Sequence, residues 1–209
     1  NTLMELELAE ALGAETRELI TWVHEGMLAY AKYAYLPETN MLKPMLTNGT
    51  DLSGYQLSRS GYYGQAGRIF NRFPASGDFL NAYTRTYRLT GDPDIWVMVR
   101  NIARALGLGD LGRRPGQEVQ VNLGIEQADY HILFALLELY KTTPHRDYLA
   151  LARVVGNNML RQKFHHGYFL RKVNSVNAEF NAVEPLALLA LAATIRGTPE
   201  LVPGYLAAG

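Results

Sequence analysis

The fold of this chain is decided by residues 87–93, Tyr-Arg-Leu-Thr-Gly-Asp-Pro, and by two later stretches of the same design. Residues 140–144 read Tyr-Lys-Thr-Thr-Pro and residues 195–199 read Ile-Arg-Gly-Thr-Pro, which places the three prolines 51 and 55 residues apart. Proline is favoured at the first position of a helix, and Asp or Thr is favoured at the capping position before it. Each stretch therefore predicts the end of one helix and the start of the next. The predicted capping residues are Asp92, Thr143 and Thr198.

Apolar residues recur every three or four positions around these turns, which is the helical period. A fourth turn, without the proline, covers residues 11–15. A recurring unit of this size indicates stacked helical hairpins, as an open solenoid or a closed α/α toroid. The predicted helix pairs are 3–12 with 15–35, 77–90 with 93–107, 124–141 with 144–162, and 180–196 with 199–207.

Two helices that open a pair are apolar on nearly every face, at residues 132–137 and 185–193, whereas the helices that follow them are apolar on one face. A helix that is apolar all round is buried, and a one-sided helix faces water. The sequence therefore predicts an all-α chain of inner and outer helices that forms part of an α/α toroid.

The links between the pairs are long, at residues 36–76, 107–123 and 163–179, whereas the turns within pairs are short. Each long link leaves the far end of the second helix of a pair. We therefore expect all three links at one end of the stack, with short strands among them. Loops on a rigid scaffold are where binding and catalytic groups concentrate.

The composition excludes several classes of protein. A formal net charge of zero gives no overall basic signal for nucleic acid, and the sequence has no run of about 18 apolar residues to span a membrane. The chain has no cysteine, so it has neither a disulfide framework nor a thiolate site. This leaves the compartment open among the bacterial periplasm, secretion and the cytoplasm.

The length of 209 residues and the hydrophobic content of 48% predict a single domain over residues 1–209. The first residues, 1–6, read like the middle of a helix, and a closed toroid needs more hairpins than the four predicted here. We therefore expect a partial barrel from a longer chain, with the N-terminal half of the barrel as its missing partner.

The first and third links each carry a net charge of +2, whereas the second is neutral. Tyrosine and phenylalanine side chains are interleaved with these cations. Guanidinium groups bind carboxylates bidentately, and flat rings suit the faces of sugars. The links therefore predict an anionic ligand at one end of the molecule.

Several titratable residues fall near the predicted starts of inner helices. A pair of carboxylates at such a place is typical of α/α toroid glycosidases, which need an acid and a base flanking the scissile bond. For the histidine among them, His131, a hydrogen-bonded core position is the simpler interpretation. The carboxylates are Glu126, Asp129, Glu179 and Glu184.

Five motifs resemble those of a known family. They are residues Thr47–Tyr55, Gly61–Gly64, Tyr87–Asp92, Gly107–Gly112 and Pro185–Leu191. Together they are similar to the C-terminal portion of the family two polysaccharide lyases, the pectate and exopolygalacturonate lyases. The likeness covers roughly residues 20–207.

This resemblance implies an α/α barrel with additional strands that cleaves polygalacturonate by β-elimination. It also implies an arginine as the general base and a divalent cation, typically manganese, held by histidines and a carboxylate. No residues here match those motifs, so we expect the catalytic residues outside this segment and no metal bound by this segment alone. The ligand would be oligogalacturonate, held by residues of the long links. The candidate contacts are Arg59, Tyr62, Tyr63, Arg68, His166, Arg171 and Lys172.

Two other hypotheses fit the pattern of helices. One is a different α/α toroid enzyme, an unsaturated uronyl hydrolase or a sugar epimerase, which would work through residues such as Glu126, Asp129, His131 and Glu184. The other is a non-enzymatic helical-repeat scaffold that binds a peptide on its concave face.

Overall fold

The computed structural model describes residues 2–170, 175–177 and 180–203, and most of them are helical. A 3-10 turn at Gly13–Thr16 joins the first two helices, a π-helical turn at Tyr30–Ala34 extends the second, and a 3-10 turn at Pro199–Leu201 follows the last. The α-helices are α1 (Thr2–Leu12), α2 (Arg17–Ala29), α3 (Gly77–Thr90), α4 (Pro93–Ala105), α5 (Tyr130–Thr142), α6 (Arg146–Lys163) and α7 (Glu184–Arg196).

Three small antiparallel sheets lie between the helix pairs. The first has the order β1-β2-β3, and the other two are the hairpins β4-β5 and β6-β7. The strands are β1 (Tyr35–Leu36), β2 (Met41–Leu42), β3 (Phe73–Pro74), β4 (Gly109–Asp110), β5 (Gln120–Val121), β6 (Phe164–His165) and β7 (Tyr168–Phe169).

The helices form two layers. Helices α1, α3, α5 and α7 pack side by side, and α2, α4 and α6 each pack against their hairpin partners from outside. This confirms the predicted all-α architecture of stacked hairpins with inner and outer helices. No helix in the described part of the chain combines the length and hydropathy needed to cross a bilayer.

The inner helix α3 is polar in sequence and yet largely buried. Thr84 and Thr86 are fully buried, and their hydroxyls donate to the carbonyls of Leu80 and Ala82 at 2.7 and 2.8 Å. The Tyr83 hydroxyl donates to a carbonyl of α2 at 2.9 Å. Because a buried hydroxyl that is hydrogen-bonded carries little penalty, a helix without continuous apolar faces occupies the centre of the inner layer.

A network of ion pairs ties the inner layer together. Arg85 pairs with Glu7 and Glu10 of α1, and Arg88 pairs with Glu10 and with Glu138 of α5. The arginines belong to α3, so the network joins three neighbouring inner helices.

The turns that predicted the fold are capped in different ways. The Asp92 carboxylate accepts from the amides of Asp94 and Ile95 at 2.8 and 3.3 Å, as expected, and Gly91 adopts the left-handed conformation that ends α3. The prediction for Thr143 is wrong. His145 is the cap of α6, since its Nδ1 accepts from the amide of Asp147 at 3.3 Å.

Thr198 makes no side-chain cap, and only a 3-10 turn follows it within the described residues. Residues 204–209, the remainder of the predicted final helix, lie outside the described residues. The starts predicted for α5 and α7 are also too early. Helix α5 begins six residues late because the Asn158 amide donates to the carbonyls of Ile125 and Gln127, which holds residues 124–129 out of the helix.

The second link is attached at the predicted end, since it joins the end of α4 to the start of α5, but it does not stay there. It leaves α4 and folds back along the outer face as the β4-β5 hairpin, where Trp96 Nε1 donates to the carbonyl of Arg113 at 3.1 Å. The Tyr148 hydroxyl donates to the Leu111 carbonyl at 2.6 Å and accepts from the Gly116 amide at 2.9 Å. Since Trp96 and Tyr148 lie near the starts of α4 and α6, this link reaches the pole of the short turns.

The first link stays at the other pole, which we call the open pole. Strand β1 continues directly from α2 and β3 leads into α3, and the rings of Tyr30 and Phe73 both lie 6.3 Å from that of Phe79. The third link begins there too, because Lys163 Nζ at the end of α6 contacts Glu184 Oε1 at the start of α7 at 2.7 Å.

Candidate functional site

Residues 43–72 of the first link form an ordered arm. Backbone hydrogen bonds join its two sides, from Leu57 N to Arg68 O at 2.9 Å, from Gly67 N to Leu57 O at 2.8 Å and from Phe70 N to Tyr55 O at 3.0 Å. Further bridges join Met45 to Asp51 and Gly61 to Gly64. The segment is therefore an irregular antiparallel finger that presents its side chains in set positions.

The tip of the arm carries two exposed tyrosines in edge-to-face contact, Tyr62 and Tyr63, with ring centroids 5.2 Å apart. Arg68 supports this tip from beneath, because its Nη1 donates to the Tyr63 carbonyl at 2.6 Å. Gly64 has a φ of +139°, and a Cβ there would lie 2.6 Å from Arg68 Cδ. The backbone conformation therefore favours glycine, and a larger residue would also have to displace the Arg68 side chain.

A cleft of about 1390 Å³ separates the arm from the C-terminal end of α2. Its walls combine tyrosine rings from both sides with three cationic side chains. These side chains are Tyr30, Tyr33, Lys43, Tyr55, Tyr63, Arg68 and Arg72. A concave site with flat rings and a few convergent polar groups is the usual form of a ligand site.

The positive charge of the cleft is not neutralised within the described part of the chain. Lys43, Arg68 and Arg72 make no ion pair with any carboxylate there. The nearby Asp51 carboxylate accepts from the Ser53 amide at 2.8 Å instead. Hydrogen bonds from Ser53 lower the pKa of Asp51, and the charges of Lys43 and Arg72 lower it further.

Lys43 and Arg72 are brought together by the register of the first sheet. Met41 pairs with Pro74 and Leu42 with Phe73, so Lys43 and Arg72 occupy the next opposed positions beyond the pairing. Both residues contribute to the net charge of +2 of this link, but they were not among the contacts predicted from the sequence, and neither were Tyr30, Tyr33 and Tyr55. The pair of cations could be predicted only from the antiparallel register. That register is known only when the pairing of two strands 30 residues apart in the chain is known.

Only some of the candidate contacts predicted from the sequence line the cleft. Tyr63 and Arg68 line the cleft, whereas Arg59 and Tyr62 are exposed on the arm outside it. His166 has a positive φ of 47° at the exposed turn of the β6-β7 hairpin and does not line the cleft. Arg171 and Lys172 lie outside the described residues.

A second group of titratable side chains lies at the starts of the inner helices α5 and α7. Asp129 caps α5 by accepting from the amide of His131 at 2.7 Å, and Glu184, only 4% exposed, pairs with Lys163. Burial lowers the pKa of His131, and the carboxyl groups of Asp129 and Glu184 partly oppose this shift. Its Nδ1 is buried with no hydrogen-bond partner in the described part of the chain, so the expected hydrogen-bonded core position is wrong for that atom.

These contacts bear on the toroid hydrolase hypothesis. Asp129 and Glu184 are both engaged in structural contacts, Glu126 is exposed, and Glu179 lies outside the described residues. Among the described residues, no three His, Asp or Glu side chains converge to hold a metal ion. The described residues therefore do not fit a metal centre.

Two comparisons with known proteins bear on this site. A family model described as periplasmic pectate lyase matches residues 1–209, the whole chain. A pectate disaccharide-lyase of Dickeya dadantii is 30% identical over 192 residues, which are 92% of this chain and 33% of that relative. The chain thus spans about a third of the length of the relative that it matches.

Proposed function

The chain belongs to the periplasmic pectate lyase family, and from that premise we propose that it forms part of an enzyme that cleaves oligogalacturonate by β-elimination. In this proposal, the cleft between the arm and α2 binds the sugar chain. The protein acts in the periplasm, in keeping with the description of its family.

The observation that carries this proposal is the set of unpaired cations within a tyrosine-lined cleft. A carboxylate that entered would find Lys43 and Arg72 at opposed positions just beyond the strand pairing, and neither forms an ion pair in the described residues, although both lie near Asp51. Tyr33, Tyr55 and Tyr63 offer rings for the apolar faces of the sugar. This lining complements a sugar chain in which carboxylates alternate with flat sugar faces.

The chemistry of β-elimination explains why cations are needed. The step removes the proton at C5, beside the uronate carboxylate, and the electron pair forms the C4–C5 double bond as the bond from C4 to the leaving oxygen breaks. Negative charge develops on the carboxylate as the proton leaves. Fixed cations beside that carboxylate stabilise the developing charge without reorganising. In this proposal, Lys43 and Arg72 take this role or hold a neighbouring uronate.

The proton acceptor and a divalent cation are further parts of the proposal. We assign neither to a described residue. The divalent cation would add a second positive charge at the reacting carboxylate in the complete enzyme.

Substitution of the cationic pair tests the proposal. Lys43→Ala and Arg72→Ala should each weaken the binding of oligogalacturonate by about 1–3 kcal/mol, on the scale of hydrogen bonds to charged groups. Titration calorimetry at two salt concentrations measures this loss. Arg113→Ala is the matched control, because Arg113 is also an exposed cation and lies at the opposite pole.

The reaction is followed by the ultraviolet absorbance of the new double bond. Cleavage without that absorbance would indicate a hydrolase and contradict the proposal. So would equal affinity in the Lys43→Ala, Arg72→Ala and Arg113→Ala variants.

A further inference from the structure

A second depression adjoins the cleft along α2. It has a volume of about 390 Å³, and Trp22, Gly26, Tyr30 and Phe79 are among its walls. Gly26 and Tyr30 also line the cleft. The two hollows therefore share a wall and form one groove that runs along α2 from the arm to Trp22.

Gly26 marks the place where the hollows meet. Glycine in the interior of a helix is destabilising relative to alanine, so its presence in α2 calls for a reason. Packing supplies none, because a Cβ added at Gly26 would meet no atom within 4 Å. Because Gly26 has no side chain, no atoms rise between the two hollows, and an extended ligand can occupy both.

The chemistry changes along this groove. The cleft at the arm is lined by the cations, whereas the Trp22 hollow is lined by the carboxylates of Glu5 and Asp78. Neither carboxylate makes an ion pair in the described ranges of the chain. Carboxylates accept hydrogen bonds from sugar hydroxyls but repel a uronate.

Trp22 supplies the surface on which such a sugar would stack. Its side chain is 57% exposed, which is unusual for the largest amphipathic ring. The chain has two tryptophans, and the other, Trp96, is 4% exposed in the core. An exposed ring and two carboxylates that line one hollow match a saccharide unit that presents a flat face and several hydroxyls.

We propose that the Trp22 hollow is an additional subsite for an uncharged saccharide unit, either a neutral sugar or an esterified uronate, joined to the uronate chain held in the cleft. This inference rests on the proposed function, because the cleft must hold a uronate chain for the groove to extend it. It gives the protein a preference for longer ligands that are charged at one end and neutral at the other.

Three ligands test the subsite: a short oligogalacturonate, a long one, and a long one whose terminal unit is neutral. Trp22→Ala should weaken binding of the long ligand with the neutral end about tenfold and leave the short ligand unaffected. Gly26→Phe should weaken binding of the long ligands more than that of the short one, because the ring closes the passage and also borders the cleft. Thr21→Phe is the control, since Thr21 is exposed on α2 and lines neither hollow.

Glu5→Gln with Asp78→Asn should raise affinity for the fully charged long ligand, because the repulsion at that end is removed. Fluorescence provides an independent readout, since quenching by the long ligand should come from the exposed Trp22 and disappear in Trp22→Ala.

Equal losses for short and long ligands in Trp22→Ala would overturn the subsite. So would an unchanged affinity for the ligand with the neutral end. Both outcomes leave the proposed function intact, since that function is judged by the loss in Lys43→Ala. If the unaltered protein bound none of the three ligands, the proposed function itself would fail.

Discussion

Tyr148 provides a direct test of how the second link is held on the outer face. Its side chain is fully buried. Its hydroxyl makes two hydrogen bonds, since it donates to Leu111 O at 2.6 Å and accepts from Gly116 N at 2.9 Å. Tyr148→Phe removes the oxygen and keeps the ring. The variant therefore leaves one backbone carbonyl and one backbone amide without their partner.

The cost follows from the burial of those two groups. Leu111 is fully buried, so its carbonyl loses its partner where water does not reach, whereas Gly116 is half-buried and its amide regains part of its bonding from water. With about 1–3 kcal/mol for an unsatisfied buried group, we expect the free energy of unfolding to fall by about 2–3 kcal/mol. For a chain of this length, the midpoint of thermal unfolding should fall by about 4–12 °C.

Urea denaturation measures the change in the free energy of unfolding, and hydrogen exchange at the Gly116 amide reports the local opening of the link. Tyr168→Phe is the control, because that side chain is 58% exposed and its change should stay within about 0.5 kcal/mol. If Tyr148→Phe were as stable as Tyr168→Phe, or if the Gly116 amide exchanged at an unchanged rate, the hydroxyl would not be what holds the link.

Three further changes test other parts of the structure. Burial opposes ionisation of the Asp110 carboxyl, but hydrogen bonds from Arg100, Arg104 and a backbone amide outweigh it and hold the pKa well below its usual range. The ionised Asp110 carboxylate therefore contributes fully to stability above about pH 4, and this contribution is lost as the pH falls below that value. The melting temperature of Asp110→Asn should consequently depend less on acid pH than that of the unaltered protein. Asp92→Ala removes the cap of α4 and also the 2.8 Å contact of Asp92 with His24, and the loss of the cap alone should cost about 0.5–2 kcal/mol in urea denaturation, whereas Asp92→Asn should keep most of the cap. Gly64→Ala should displace Arg68 and loosen the arm, which would appear as faster proteolysis of the arm without loss of helical circular dichroism; an unchanged cleavage rate would contradict the role given to Arg68.

Two turns that contain proline have the same sequence pattern but different helix caps. At residues 92–93 an aspartate precedes proline, and the cap forms where the pattern predicts it. At residues 143–144 the threonine adopts an extended backbone, and the cap of α6 is His145 instead. The pattern predicted a turn at both places because proline is disfavoured in the interior of a helix and favoured at its first position, but the choice of cap depends on which side chain can reach the free amides.

The candidate site shows a similar division. The excess of cations and tyrosines in residues 43–72 was visible in the sequence, and it pointed to an anionic ligand. Which of them face one cleft was not visible. Arg68 supports its own arm, whereas Lys43 and Arg72 take opposed positions only because strands distant in the chain pair in one register.

The sequence by itself determined the helix pairs, the two layers and the family resemblance, because these depend on local periodicity, on turn residues and on motifs that are read in order along the chain. Tertiary structure alone decided the path of the second link, the burial of the polar helix α3 and the composition of the cleft. Those features depend on hydrogen bonds between residues far apart in the chain, such as Tyr148 to Leu111 and Tyr83 to Met27. A periodic pattern carries no record of such partners, since each partner looks like an ordinary loop or helix residue until the chain has folded.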